Sequence, residues 1–136
     1  MTTKKQTQKK DQFEFRTIKS FEDACVKVGI DADQLPNLAA VPGEYHKPII
    51  AHFKLIIIFK AINNGWKPDW GNENQHKYFP WFWLLSSGFG FGVSCYYYTF
   101  AIAGAGSRLC TDTGDKAIYI AKQFEDLYRD FLLYSE

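Results

Sequence analysis

Three histidines and three cysteines are the side chains here best suited to nucleophilic or metal chemistry, and their spacing supports neither. His46 and His52 lie six residues apart, off the i, i+4 spacing that lets one helix present two imidazoles to a single metal. His76 stands in a polar loop. Cys25, Cys95 and Cys110 are odd in number and far apart, unlike a disulfide framework. No base accompanies Cys110, so a thiolate nucleophile has no support. These cysteines read as free thiols packing like small hydrophobes in a reducing, intracellular setting. Gly104-Ala-Gly-Ser107 lacks the Gly-Lys-Ser/Thr ending of a phosphate loop, and Ser107 is not in a nucleophile elbow. The expectation is no catalytic residue, no metal ligand and no cofactor: a non-catalytic protein.

The residues suited to binding are aromatic. Trp66 to Phe100 spans 35 residues and holds 13 of the 24 aromatic side chains, including all four tryptophans. Trp66 and Trp70 fall in an irregular stretch, and loops normally lie on the surface. Either both rings fold back on the core as a lid, or one walls a ligand site. Gly88-Phe-Gly-Phe-Gly-Val93 is partly like the aromatic signature of RNA-recognition motifs, but it lacks the leading Lys/Arg and carries an extra glycine. Arg108 is the one charge between Gly104 and Cys110, suited to an anion, an exposed tyrosine or a surface ion pair. The candidate binding residues are therefore Trp66, Trp70, Phe82, Tyr96, Tyr97 and Arg108.

The elements that must position these residues follow from caps and periodicity. Ser20-Phe-Glu-Asp23 has the form of a capping box, opening a short helix that Gly29 stops. Phe13 to Ile18 alternates apolar and polar residues, which predicts a short edge strand. A helix starting near Pro42 or Pro48 and ending at Asn63 is apolar nearly all round, so it should be the buried one. Asn64-Gly65 ends it. A turn at Ser86-Ser87-Gly88 opposes Phe79 to Cys95, Trp81 to Val93, Trp83 to Phe91 and Leu85 to Phe89 on one inner face. Phe82 then lies outward, across from Gly92. A second hairpin pairs 98–102 with 107–111, and its parity requires a bulge near Cys95–Tyr97. Asp112 or Thr113 caps a last helix from Asp115 to about Leu133, whose apolar face covers the sheet. The predicted fold is α+β: an antiparallel aromatic-rich sheet of three to five strands, covered mainly on one face by two or three helices.

Charge and size bound the rest. At 136 residues the chain forms one domain over 13–136 and needs no disulfide or metal to fold. Residues 1–12 read as a flexible basic arm. Residues 1–19 carry a net +4 and the remainder −3, so the folded body does not look like a phosphate-gripping surface. No apolar run approaches a membrane span, and the lysine-bearing N-terminus has no apolar core of a secretory signal.

Several linked strings, Ala61-Ile-Asn-Asn-Gly-Trp-Lys-Pro-Asp-Trp70, Lys77-Tyr-Phe-Pro-Trp-Phe82, Gly106-Ser-Arg-Leu-Cys110 and Ala121-Lys-Gln-Phe-Glu-Asp-Leu-Tyr128, give the chain a resemblance over about residues 18–134. It resembles a family of small uncharacterised proteins found in gut anaerobes, their phages and mobile elements. The resemblance implies a phage or mobile-element context, in the bacterial cytoplasm or the phage particle, and brings no activity or site residue with it. With the residue chemistry it leads to two expectations. The first is a non-catalytic interaction protein, a virion component or an accessory factor that binds a host protein or itself. The second is a nucleotide or single-stranded nucleic-acid binder that stacks bases on its aromatic face. Neither involves a membrane.

Overall fold

The computed structural model describes residues 13–85, 88–97 and 106–134, and at 85, 91 and 93–97 the backbone alone. The arm at 1–12 lies outside the described residues. The chain is α+β, with α1 (Phe21–Val28), α2 (His46–Asn63), a hairpin of β1 (Lys77–Leu85) and β2 (Gly88–Tyr97), then α3 (Gly114–Gln123) and α4 (Glu125–Leu132).

The helix ends obey local chemistry. Ser20 Oγ accepts the Asp23 amide hydrogen at 3.1 Å, and Asp23 reaches back to accept from the Lys19 amide at 3.0 Å. Gly29 closes α1 with φ of +77°, a left-handed conformation that costs glycine nothing. The segment before it is not the expected strand. Phe15–Thr17 forms a 3₁₀ turn, because Glu14 accepts the Arg16 amide hydrogen and caps it. That backbone hydrogen bond, aided by the Arg16 guanidinium, holds the Glu14 carboxyl below its ordinary pKa. Tyr119 ties the turn down by donating to the Ile18 carbonyl at 2.6 Å, and burial pushes its phenol pKa up.

α2 is the buried helix that its composition demands. Leu55, Ile58, Phe59 and Ile62 are fully buried, and α1 and α4 pack against it. Burying side chains of this size contributes about 1.5–3 kcal/mol each. Pro48 is tolerated because it sits in the first turn, where its missing N–H has no partner to lose.

The sheet is smaller than predicted. Among the described residues it has two antiparallel strands, extended by an isolated bridge in which Tyr78 and Thr111 exchange both backbone hydrogen bonds. One arm of the expected second hairpin, 98–102, lies outside the described residues. The other is no strand: residues 106–109 turn, and only Thr111 pairs.

The hairpin register holds as predicted from Lys77↔Tyr97 to Trp81↔Val93, then slips by one to Phe82↔Phe91, Trp83↔Gly90 and Leu84↔Phe89. Gly92 is the extra residue. The bulge therefore falls there and not near Cys95–Tyr97. The slip moves β2 against β1: β1 keeps its own alternation, and Phe89 comes onto the face of Phe82. Phe82 turns inward, stacked on Phe89 at 4.9 Å and tilted against Tyr128 at 4.5 Å. Trp81 and Trp83 turn outward and pack edge to face at 4.4 Å. Trp83, not Phe82, lies over Gly92: a Cβ there would meet its Nε1 at 2.7 Å. The expected inner face of Trp81 and Trp83 and outer placement of Phe82 are both overturned.

The last helix is two helices. Thr113 caps α3 by accepting the Lys116 amide hydrogen, as expected, but the chain kinks at Phe124 (φ −116°, ψ 29°). α3 lies on the hairpin while α4 lies along α2, and one straight helix cannot follow both. Phe124, buried and edge-on to Tyr119, pins the corner.

Candidate functional site

The end of α2 creates the one place where the candidate residues meet. Asn64 adopts a left-handed conformation (φ 46°), Gly65 follows at φ 89°, and the Trp66 amide donates back to the Asn63 carbonyl at 2.9 Å. Two consecutive left-handed residues reverse the chain within one turn, a role suited to Asn and Gly. The reversal carries Trp66 and Trp70 onto a small apolar cluster built on Phe79 and Cys110. Both rings are half-buried, so the lid and the ligand wall are not alternatives here: each ring covers the cluster and also lines a cavity of about 710 Å³. That volume falls within the range of small-molecule sites.

Cations converge on the same cavity from four segments. Lys27 comes from the last turn of α1, Lys60 from the last turn of α2, Lys67 from the tryptophan loop and Arg108 from the turn before Thr111. All four are exposed and none forms an ion pair among the described residues. No acidic side chain lines the cavity among the described residues. Asp69, exposed on the same loop, accepts the Gly71 amide hydrogen with its carboxylate at 2.9 Å. With ordinary screening of about 8 Å, four like charges around one cavity reinforce each other toward an incoming anion.

The wall also holds a polar group that sequence reasoning missed. Asn63 is buried, and its Nδ2 donates to the Cys110 carbonyl at 2.8 Å. That bond fixes the amide orientation and leaves Oδ1 buried without a partner among the described residues. A buried acceptor left unpaired costs about 1–3 kcal/mol.

Lys77 is a second missed residue. Its side chain is fully buried; Nζ donates to the Asn72 carbonyl at 3.0 Å and sits 5.3 Å from the centre of the Trp70 ring. A cation at that distance attracts the ring face, so Lys77 holds both the loop and Trp70 in place. The strand alternation was a usable signal, because Lys77 shares its face with buried Phe79. For Lys27, Lys60, Lys67 and Asn63 there was no such signal, since they lie in separated segments.

Three of the six candidates thus come together: Trp66, Trp70 and Arg108. Phe82 does not join them, being buried in the main core beside Phe89 and Tyr128. Tyr96 and Tyr97 pair by backbone with Tyr78 and Lys77, and their side chains lie outside the described residues.

The remaining titratable groups have structural roles. The His46 ring donates to the Val41 carbonyl at 2.6 Å, His52 stacks on Phe131 at 4.7 Å, and His76 shares a hydrogen bond with the Tyr78 hydroxyl. Cys25 is a free thiol, and Cys25 and Cys110 are both buried. Burial, then the carboxylates of Glu22 and Asp31, pushes the Cys25 thiol above its ordinary pKa. No group of three or more His, Cys, Asp or Glu is placed to hold a metal among the described residues, and none of their helices is long and apolar enough to cross a membrane.

Fold and site together define an α+β chain with a cationic, tryptophan-lined cleft at the C-terminal end of its buried helix. No family model, curated protein or solved structure matches the chain.

Proposed function

We propose that this chain is a non-catalytic binding protein and that its site is the cleft, which takes an anionic partner. The supporting observation is the convergence of Lys27, Lys60, Lys67 and Arg108 on one cavity without an acidic residue in its described lining. The whole molecule carries only +1, so attraction is local to the cleft and not a property of the surface as a whole. Calorimetric titration with inorganic pyrophosphate at low and moderate salt tests this. Replacing Lys60 and Arg108 together by Gln removes about 0.5–1 kcal/mol per screened charge, about a fivefold to thirtyfold loss of affinity, and binding weakens with salt. Unchanged affinity in the double variant would sink the proposal.

A second reading rests on a different observation. Trp81 and Trp83, 41% and 48% exposed, leave the hairpin with an apolar outer face. Such a face suits a protein partner or a second copy of the chain, in the phage or mobile-element setting that the sequence suggests. The oligomeric state decides whether self-association is part of it.

A further inference from the structure

We infer that the cleft takes a nucleotide: a flat base joined to at least one phosphate, either free or as a unit of single-stranded nucleic acid. The inference rests on the cleft being the binding site and adds the chemistry of its occupant. Two kinds of group share the cavity, half-buried indoles and exposed cations, and a nucleotide is the small anion that uses both. The indoles are held before any ligand arrives. Trp66 is anchored through its amide to the Asn63 carbonyl, and Trp70 lies against the buried ammonium of Lys77. A ring fixed in advance loses little freedom when a base stacks on it, and stacking tolerates every base.

The phosphate has a definite place in this arrangement. α2 presents its C-terminal end to the cleft, and the carbonyl groups of a helix C-terminus repel anions. The phosphate therefore belongs away from that helix end, with Lys67 and Arg108, while the base occupies the indole side. The cleft is unlike sites that cradle phosphate on a helix N-terminus, where the phosphate alone supplies much of the affinity. Here affinity depends on base and phosphate together.

The test compares AMP, adenosine, inorganic pyrophosphate and a short single-stranded oligodeoxyadenylate by calorimetry and tryptophan fluorescence on the full chain. AMP is expected to bind about tenfold more tightly than either pyrophosphate or adenosine and to quench the emission. Lys67→Gln with Arg108→Gln, both at exposed positions, weakens AMP by about tenfold and leaves adenosine unchanged. Trp66→Leu removes the AMP quench, with its melting temperature measured alongside. Tighter binding of the oligonucleotide per site identifies a nucleic-acid strand as the source; equal binding identifies the free nucleotide. If pyrophosphate binds as well as AMP and no quench appears, the nucleotide assignment is overturned while the anion site stands. If none of the four binds, both fall.

Discussion

Phe82 shows how much one residue's surroundings decide. By alternation alone it belongs on the outer aromatic face, where it would serve binding. Its face is instead the one that meets the main core, and the bulge at Gly92 on the opposite strand brings Phe89 onto that face, so the ring sits between Phe89 and Tyr128. Phe82→Ala should therefore cost about 3–5 kcal/mol, the price of an unfilled core cavity, read as a fall in the urea midpoint at unchanged slope. A loss below about 1 kcal/mol would take the ring out of the core. Trp81 and Trp83 alternate with Phe82 along β1 and so face the other way, where they are exposed. The opposite case is Trp66, whose place follows from its immediate neighbours: Asn64 and Gly65 turn the chain, and the next ring has nowhere else to go. Lys77 lies between these cases. Its strand position made burial foreseeable, yet the Asn72 carbonyl and Trp70 ring that hold its ammonium come from a loop without regular structure.

At the scale of elements, caps and breakers were legible and lengths less so. The ends of α1 and α2 fall at the residues whose chemistry requires them, Ser20 and Gly29, then Asn64. α1 has eight residues, too few to persist alone in water, so its cap and its packing on α2 sustain it. Ser20→Ala should cost about 1 kcal/mol by chemical denaturation, with Ser20→Asp retaining most of it; equal stability of all three proteins would show the cap to be idle. The kink at Phe124 was not legible. No Gly or Pro marks it, and the apolar periodicity runs through it unbroken. It exists because α3 must follow the hairpin and α4 must follow α2. The sheet was overestimated for a related reason. Residues 107–111 were expected to pair as a strand, but a strand needs a partner along its length, and among the described residues only Thr111 finds one.

At the scale of the whole molecule, the two functional readings use different surfaces. The cleft lies at the end of α2, while Trp81 and Trp83 lie on the outer face of the hairpin. Native mass spectrometry over a concentration series tests the second reading. A defined oligomer that Trp83→Ala shifts toward monomer supports self-association through the hairpin. A monomer at every concentration, or an oligomer indifferent to Trp83, removes self-association from that reading. Neither outcome bears on anion binding, so the two can be settled separately.

The sequence by itself determined the mixed α+β character, the buried central helix, the capped ends and the first half of the hairpin register. Each depends on residues within a turn or a strand of one another, where capping groups, left-handed Asn or Gly, and side-chain periodicity act directly. Only the tertiary structure decided the bulge at Gly92, the kink at Phe124 and the gathering of Lys27, Lys60, Lys67 and Arg108 beside two tryptophans. Overall charge hid that gathering: a near-neutral chain concealed four cations that no local pattern links. They meet because α1 packs on α2, the Asn64–Gly65 turn folds the tryptophan loop back, and the Tyr78–Thr111 bridge brings Arg108 alongside. Convergence of this kind is set by contacts between distant segments, and those contacts exist only once the core has formed.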